Sequence, residues 1–405
     1  MQKTPKGLRL HIGIFGRRNV GKSSIINAIT HQQVSIVSDY EGTTTDPVEK
    51  AMEMLPLGPV MLIDTAGLDD EGNLGELRVQ KTQAVFDRCD LALVVTDGIW
   101  QRYEYEIEDE LNKRHIPWIA VLNKADIRQH QQLEDRLKTR KIPVIRVSVS
   151  DAESIEGLKL KIIENAPSDF LENRQIIGDL IPENGHVILV VPIDKEAPKG
   201  RLILPQVQTI RDILDCYATC SICQEPQLKS MLEMLKQPPY LVVTDSQAFG
   251  SVSQIVPQNI MLTGFSILFA RFKGELNSMV KGAAVISSLR PTDRVLIAEA
   301  CTHHPIQDDI GRVKIPAWLR KKVGQELKID VLSGSDFPQD LSPYQLIIHC
   351  GACMWTRRQV LARQYRAAAQ NIPMTNYGLA IAALHGILDR ALQPFPEALE
   401  IWKSS

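Results

Sequence analysis

The segment from Gly16 to Ser23, GRRNVGKS, has the residue types and spacing of a phosphate-binding loop. It directly follows the apolar run LHIGIFG and opens a helical pattern, which is the context that such a loop requires. Its glycines let backbone amides close around phosphate groups, while Lys22 reaches the outer phosphates and Ser23 binds Mg²⁺. We expect a nucleotide to contact the following residues of this segment: Gly16, Asn19, Gly21, Lys22, Ser23 and Ser24.

A second string, DTAG, ends the apolar run at 60–67. We expect Asp64 to hold Mg²⁺ through water and the amide of Gly67 to sense the terminal phosphate. Between the two motifs lies the hydroxyl-rich string GTTTD at 42–46, in which Thr43 and Thr44 can close over the metal when a triphosphate is bound. Together these strings predict a loop that responds to the state of the nucleotide.

The string NKAD at 123–126 predicts the base that the site selects. The carboxylate of Asp126 can accept two hydrogen bonds from guanine, one from N1–H and one from the exocyclic amine, and adenine lacks that donor pair. Asn123 and Lys124 complete the motif, and Ser148, after the run at 143–148, is expected to lie behind the base. The four strings in this order therefore predict a site for GTP and GDP with Mg²⁺.

Short apolar runs that alternate with helical patterns position these strings, from Leu8 to about Pro167. Such runs predict parallel strands with crossover helices on both faces of the sheet, so the fold class is α/β and doubly wound. Each string then lies at the carboxyl end of a strand, where open α/β sheets bind ligands. The runs occupy residues 10–16, 60–67, 91–98, 118–124 and 143–148.

Cysteines and histidines follow two later apolar runs. The string CTH comes directly after RVLIAEA (294–300), and HCGAC begins at the end of YQLIIHC (344–350). If these runs are parallel strands of one sheet, their carboxyl ends lie at one edge and the ligands converge there. Three thiolates suit a [4Fe–4S] cluster, and zinc is the alternative because Cys₃His is also a structural zinc set. The candidate ligands are Cys301, His303, His349, Cys350 and Cys353.

The fourth donor to such a cluster stays open at this stage. Either histidine, a water molecule, or a carboxylate such as Asp308 or Asp309 could supply it, and we expect His304 in solvent or behind the ligands. Basic residues gather in the same region, either as a positive rim for an anionic ligand or simply as exposed helix faces. They are Arg312, Lys314, Arg320, Lys321, Lys322, Arg357 and Arg358.

A different cysteine pattern, C-x₃-C-x₂-C, occurs at Cys216, Cys220 and Cys223. It has the spacing of radical-SAM enzymes, but it ends a helical pattern at 206–217 in a unit too small for their barrel. Spacings of four and seven predict one helix face of buried, inert thiols, and a second cluster is the alternative. Cys89, before the run at 91–98, is predicted to be a core residue.

The composition excludes several classes of protein. The 405 residues carry 46 Lys+Arg against 48 Asp+Glu, and this balance argues against nucleic acid as the main partner. No run of about 18 apolar residues is present, so we expect no membrane span. The amino terminus has no secretory signal pattern and cysteines are few, which favours the reducing cytoplasm.

The length predicts two or three domains. The polar stretch at 168–181 is expected to be a linker between a nucleotide-binding domain at 1–170 and a small α/β unit at 178–256. Because that unit is small for an independent core, we expect it to form a homodimer. A third α/β unit at 257–405 carries the candidate metal ligands, with strands at 294–300, 327–333 and 344–350.

The nucleotide motifs of residues 8–167 resemble those of TrmE/Era-type GTPases. Asn19 and the GTTTD string are similar to the pattern of members that use K⁺ as an additional charge near the phosphates. Leu68 stands where Ras-like GTPases carry the catalytic Gln, and Glu76 lies at the offset of the glutamate that TrmE-type enzymes use. The resemblance implies slow, K⁺-stimulated GTP hydrolysis with Lys22, Thr44 and Glu76 in catalysis, although a solvated helix position explains Glu76 equally well.

The pairing of C-x-H with H-C-x-x-C, in this domain order, resembles the HydF family of [FeFe]-hydrogenase maturation GTPases over nearly the whole chain. The resemblance implies a scaffold or carrier for the diiron precursor of the hydrogenase active site. It implies two radical-SAM maturases and the immature hydrogenase as partners, and Cys301, Cys350 and Cys353 as cluster ligands. Cys216, Cys220 and Cys223 depart from the family pattern. The alternatives are a tRNA-modification or ribosome-assembly GTPase and a zinc-stabilised GTPase without a redox role.

Overall fold

The computed structural model describes residues 5–30, 48–65, 83–167, 170, 174–192, 202–300, 309–334 and 337–405. The chain divides into two compact units, Met1–Asn173 and Arg174–Ser405, and each is described by itself. Three sheets are present, one of six strands in the first unit and two of four strands in the second. The predicted α/β fold class is therefore confirmed.

The first unit is built on a sheet with the strand order β2-β3-β1-β4-β5-β6. Its central strands are buried on both faces, as the continuous apolar runs predict for parallel strands covered by helices. The edge strand β2 was not predicted, and it runs antiparallel to β3, so the sheet is mixed rather than wholly parallel. The strands are β1 Leu10–Phe15, β2 Val48–Met54, β3 Gly58–Asp64, β4 Leu91–Thr96, β5 Trp118–Leu122 and β6 Val144–Arg146.

Helices and two apolar clusters cover the two faces of this sheet. The helix after β1 begins at Lys22, so the phosphate-binding loop ends directly on a helix amino terminus. Because β1, β3, β5 and β6 run parallel, the phosphate-binding loop, Asp64, the NKAD string and Ser148 lie at one edge of the sheet, at the carboxyl ends of their strands. Helices of this unit lie at Lys22–Thr30, Arg102–Lys113, Gln131–Thr139 and Ala152–Asn165.

The second unit contains two parallel four-stranded sheets, with the orders β10-β9-β7-β8 and β12-β11-β13-β14. Strands β8, β10 and β14 were not predicted from the sequence. The first sheet consists of β7 His186–Val190, β8 Thr219–Cys223, β9 Leu241–Thr244 and β10 Met261–Gly264. The second consists of β11 Arg294–Glu299, β12 Lys328–Ser333, β13 Leu346–His349 and β14 Met374–Asn376.

Both sheets of this unit share one continuous apolar core. The strand β10 belongs to the first sheet although the predicted boundary at 256/257 places it in the third domain, and that boundary stays a prediction. The α-helices are Leu204–Asp215, Leu228–Met234, Phe249–Ile255, Phe265–Lys273, Leu276–Ala284, Ile315–Val323, Arg357–Ala369, Tyr377–Leu384, Leu388–Ala391 and Pro396–Ser404.

Two sequence-based expectations are wrong in this unit. Ile176, Ile177 and Ile181 are buried in its core, so the end of the predicted polar linker belongs to the folded unit. Cys220 and Cys223 lie on strand β8 rather than on a helix, because the preceding helix ends at Asp215 and Tyr217 turns the chain with a φ of 56°. No helix in the described part of the chain is long and apolar enough to cross a membrane.

Candidate nucleotide and metal sites

The phosphate-binding loop depends on two glycines in backbone conformations that other residues rarely adopt. Gly16 has a φ of 149° and Gly21 a φ of 96°. A β-carbon at Gly16 would collide with the carbonyl oxygen of Val95, and one at Gly21 would collide with the side-chain amide of Asn123. The loop therefore packs closely against the ends of β4 and β5, and only glycine fits these two positions without rearrangement.

Lys22, Ser23 and Asp64 lie together at the edge of the sheet. The Lys22 ammonium donates hydrogen bonds to the carbonyl oxygens of Gly16 (2.7 Å) and Arg17 (2.8 Å), and the Ser23 hydroxyl donates to Asp64 Oδ2 at 2.6 Å. Burial raises the pKa of Asp64, and its Oδ1 is buried with no hydrogen-bond partner among the described residues. A carboxylate oxygen left over beside a serine hydroxyl fits the oxygen ligands that Mg²⁺ prefers.

The residues predicted to contact guanine lie at the ends of neighbouring strands. The amide of Asn123 donates to the Val20 carbonyl at 2.7 Å, and Lys124 Nζ donates to the Asn19 carbonyl at 2.9 Å. Both bonds join the base-binding string to the phosphate-binding loop. The amide of Ala125 donates to the Val147 carbonyl, which brings Ser148 beside this string, and Asp126 is exposed. The arrangement presents the Asp126 carboxylate for recognition of a base.

Sequence reasoning missed an ion pair that fixes the phosphate-binding loop from the other side. The Arg17 guanidinium lies 2.6 Å from Glu104 Oε2, and the Glu104 side chain is only 1% exposed. Glu104 also accepts the backbone amide of Gln101 at the start of helix Arg102–Lys113. Tyr103 of the same helix donates to the Gly16 carbonyl at 3.3 Å. This helix therefore holds the loop at two points.

Several predicted site residues lie outside the described residues. They are Thr43, Thr44, Gly67 and Glu76 of the nucleotide site, and Cys301 and His303 of the metal site, together with Leu68, His304 and Asp308.

The carboxyl ends of β11 and β13 lie side by side. The two strands are parallel neighbours, with Ala298 opposite His349. Beyond the last pair, the amide of Cys350 donates to the Ala298 carbonyl (2.9 Å) and the amide of Ala300 donates to Cys350 Sγ (3.0 Å). Backbone amides that point at a cysteine sulfur stabilise its thiolate form, so Cys350 fits a metal thiolate.

Cys353 lies on the loop 350–356, between β13 and helix Arg357–Ala369. Burial raises the pKa of its thiol, and the Lys273 charge acts in the opposite direction. A largely buried thiol with a cation nearby is suited to bind a metal. The metal ion replaces the thiol proton and neutralises the thiolate, whose charge would otherwise be unfavourable to bury. Within the described residues no three Cys, His, Asp or Glu side chains form a metal-binding group.

Both ring nitrogens of His349 are engaged with other groups. Nε2 lies 3.0 Å from the Arg363 guanidinium, which can only donate, so Nε2 accepts and Nδ1 donates to the Cys350 carbonyl at 2.8 Å. Burial, with the Arg363 charge, lowers the pKa of His349 to about 3. In this arrangement neither nitrogen can take a metal, in contrast to the expectation from the sequence, because the ring fills a buried position between Arg363 and the loop backbone.

Several of the other groups considered as ligands or as a positive rim already have partners. Asp309 is buried and its Oδ1 accepts the Arg312 amide at 2.8 Å. The Arg312 guanidinium pairs with the buried Glu299 at 3.0 Å, and Lys314 donates to Gln247 Oε1 at 3.0 Å. Arg357 pairs with Glu275 at 2.6 Å. These four contacts favour a structural role over a free rim of charge.

The second cysteine pattern does not converge on one point. Cys216 caps the end of helix Leu204–Asp215, where the Gln175 amide donates to its sulfur at 3.1 Å, while Cys220 and Cys223 lie on β8. Burial raises the pKa of all three thiols. Cys216 and Cys220 are only partly buried, in contrast to the predicted buried face, and the inertness of the three thiols stays a prediction. Cys89 is fully buried, as expected of a core residue.

Sequence reasoning missed Lys273, a buried lysine beside the loop 350–356. It is 2% exposed and its Nζ donates to the carbonyl oxygens of Ala352 (3.0 Å), Cys353 (2.8 Å) and Trp355 (2.6 Å). No sequence signal marks it, since a lysine at the end of the apolar pattern FSILFARFK is expected in solvent.

Comparison with families of known proteins gives three matches along the chain. The sequence model of the 50S ribosome-binding GTPase family matches residues 11–124, and that of the hydrogen maturase F dimerization domain matches residues 176–274. The hydrogen maturase F tetramerization domain matches residues 277–394. The last two domains together cover more than half of the chain. The chain belongs to the hydrogen maturase F family. Its first unit is a GTPase domain, as the nucleotide motifs predict.

Individual relatives resemble only a part of the chain. GTPase Der of Wolinella succinogenes is 33% identical over 176 residues, which are 40% of this chain and 37% of that protein. The tRNA modification GTPase MnmE of Desulfotalea psychrophila is 33% identical over 155 residues, 37% of this chain and 33% of that protein. The chain thus spans about a third of the length of these curated relatives. The G domain of the T. maritima FeoB iron transporter is 23% identical, with a TM-score of 0.31, over 39% of this chain and 98% of that one.

Proposed function

We propose that the chain is a GTP-hydrolysing scaffold that binds a [4Fe–4S] cluster and carries the diiron precursor of the [FeFe]-hydrogenase active site. One observation carries the cluster assignment: the Ala300 amide donates a hydrogen bond to the Cys350 sulfur, and Cys301 is the next residue in the chain. The residue that precedes Cys301 in the chain is therefore in direct contact with the sulfur of Cys350. Cys301, Cys350 and Cys353 would hold the cluster, which leaves one iron for an exchangeable donor.

The nucleotide half of the proposal depends on the residues around Lys22. Lys22 and Ser23 with Asp64 would bind the phosphates and Mg²⁺, and Asn123, Lys124, Asp126 and Ser148 would bind guanine. Thr43, Thr44 and Gly67 would close on the terminal phosphate, and Glu76 would orient the attacking water. Hydrolysis to GDP and phosphate is expected to be slow and stimulated by K⁺ near Asn19.

Nucleotide binding would control contacts with partners rather than iron chemistry. A γ-phosphate that orders the loop at 43–45 biases the unit toward one conformation, and hydrolysis releases it. The partners that fit this scheme are radical-SAM maturases, which supply the precursor, and the immature hydrogenase, which receives it. No part of the proposal requires nucleic acid or a membrane.

A homodimer is part of the proposal, and β8 is the element that supports it. This strand lies at the edge of the first sheet of its unit, and Ile222 on it and Tyr217 before it are exposed apolar side chains. An edge strand with exposed apolar residues pairs readily with another strand. The family description of residues 176–274 as a dimerization domain agrees with this use.

Anaerobic reconstitution with iron and sulfide tests the cluster assignment. We expect the wild-type chain to turn brown and to absorb broadly at about 400 nm, where the sulfur-to-iron charge-transfer bands lie. Cys301→Ser and Cys350→Ser should each lose most of this absorption, whereas the matched control Cys220→Ser on β8 should retain it. A colourless wild-type protein with one zinc per chain would instead establish a structural zinc site.

A tRNA-modification or ribosome-assembly GTPase is the second candidate function, because the MnmE relatives are named tRNA modification GTPases and the family matched over residues 11–124 is named for 50S ribosome binding. The match to the 50S ribosome-binding GTPase family stops at residue 124, however, and residues 176–394 match hydrogen maturase F domains. Specific RNA binding by the full chain at physiological salt, without cluster binding, would favour this candidate.

A further inference from the structure

Lys273 ends an apolar helix, Phe265–Lys273, and is nearly inaccessible to solvent. Its three hydrogen bonds all go to backbone carbonyls of a single loop some 80 residues further along the chain. Three N–H bonds require the protonated ammonium, because a neutral amine has only two. A full positive charge is therefore enclosed beneath the loop 350–356.

The loop has a conformation that needs such support. Ala352 has a φ of 48°, in the left-handed region that residues with a β-carbon seldom adopt. Its carbonyl accepts both the Trp355 amide at 3.0 Å and the Lys273 ammonium. Backbone strain of this kind persists only where the surroundings fix it, and it is concentrated at functional sites. The Lys273 contacts fall on the strained residue and on Cys353 and Trp355 of the same turn.

A second group of contacts holds the other end of the loop. The Arg363 guanidinium stacks over the Trp355 ring at 4.1 Å and donates to His349 Nε2. The residues on either side of Cys350 and Cys353 are thus fixed to two different helices, and Lys273 alone reaches the carbonyl of Cys353 itself. This contact brings the positive charge of Lys273 close to Cys353, so Lys273 would interact electrostatically with a charged ligand at the Cys353 sulfur.

We propose that Lys273 is a positioning residue for the cluster: it holds the loop 350–356 in the shape that presents Cys350 and Cys353, and it places a positive charge beside their metal. The role of that loop as a cluster site belongs to the proposed function above. A nearby positive charge stabilises the more negative, reduced state of an iron–sulfur cluster and so raises its reduction potential. A lysine that only fills the core would have no such effect.

Two measurements on the full chain test this role, with Lys273→Met as the variant. Lys281→Met is the matched control, because Lys281 is exposed on the next helix, Leu276–Ala284. In the iron-free protein, amide hydrogen exchange of residues 350–356 should accelerate about tenfold or more in Lys273→Met, as expected for the loss of hydrogen bonds that fix the loop, and stay unchanged in the control. In the reconstituted protein, the reduction potential should be more negative in Lys273→Met only.

Wild-type protection of 350–356 together with a wild-type potential in Lys273→Met would overturn the inference. If Lys273→Met does not fold, Lys273→Gln, which is neutral but keeps a donor, is measured in the same way. Failure of both to fold would also overturn it, because Lys273 would then be a general core residue. A wild-type chain that binds no iron contradicts the proposed function, whereas the exchange measurement on the iron-free protein still decides whether Lys273 fixes the loop.

Discussion

The amide of Ala300 donates a 3.0 Å hydrogen bond to the sulfur of Cys350, although the two residues are 50 positions apart in the sequence. The bond forms because β11 and β13 are adjacent parallel strands that end together. The bond keeps Ala300, from which the chain continues to Cys301, next to the Cys350 sulfur. Ala300, which precedes the CTH string, and Cys350 of the HCGAC string therefore lie together at the edge of the sheet, and the convergence of Cys301 itself with Cys350 and Cys353 stays a prediction.

Lys22→Ala should separate the two activities of the chain. The Lys22 ammonium lies within the phosphate-binding loop, and removal of a charge that stabilises the transferred phosphate typically lowers the rate about 100-fold or more. GTP turnover should fall by this factor, while iron content and cluster absorption after reconstitution stay as in the wild type. Lys138→Ala, an exposed lysine of the same unit, serves as the control. A simultaneous loss of iron would contradict the division into two independent units.

Asp126→Asn should change the preferred base from guanine to xanthine. The variant offers an N–H donor where the carboxylate accepted a hydrogen bond, and xanthine has a carbonyl in place of the exocyclic amine of guanine. The loss of charged hydrogen bonds should weaken GDP binding about 10- to 100-fold, and binding of xanthosine diphosphate should improve. Titration with fluorescent analogues of both nucleotides measures this. Equal weakening for both bases would mean that Asp126 does not read the base.

The ion pair between Arg17 and Glu104 gives a third prediction. Glu104→Gln keeps the side-chain shape and removes the buried charge, so Arg17 loses its charged partner and the phosphate-binding loop is held less firmly. We expect GDP affinity to fall by about tenfold, which corresponds to one charge-assisted hydrogen bond. The control is Glu106→Gln on the same helix, whose pair with Arg102 is exposed and therefore contributes little. Similar affinities for both variants would show that the pair does not organise the loop.

The parts of the structure that were predictable are those in which a motif fixes both sequence and geometry. The phosphate-binding loop, Asp64, the NKAD string and the edge shared by β11 and β13 follow from apolar runs and glycine spacing. Strand β8 could not be predicted, because cysteine spacings of four and seven fit one helix face and the turn at Tyr217 leaves no trace in composition. Lys273 could not be predicted, since its partners are backbone carbonyls that any residues would supply.

The buried histidine His11 predicts how the GTPase unit responds to acid. It lies in β1, 4% exposed, with Nε2 3.1 Å from the Lys6 carbonyl, and its Nδ1 has no hydrogen-bond partner among the described residues. Burial lowers the pKa of His11 to about 4, against 6.5 in an unfolded chain. Because the unfolded state takes up the proton first, this histidine favours folding fully above pH 6.5 and progressively less as the pH falls toward 4.

The free energy of unfolding of this unit should therefore fall by up to about 3 kcal/mol between pH 6.5 and 4 on account of His11 alone. His11→Leu, which cannot titrate, should lack that part of the decrease, and the two proteins should differ most in pH dependence within this window. The control is His115→Asn, an exposed histidine of the same unit at a positive φ that asparagine tolerates. Unfolding by urea at several pH values, monitored through the hydrogen exchange of strands β1 and β4, measures the free energy of unfolding of this unit within the full chain. Parallel curves for wild type and His11→Leu would mean that the histidine gains access to solvent before the sheet unfolds.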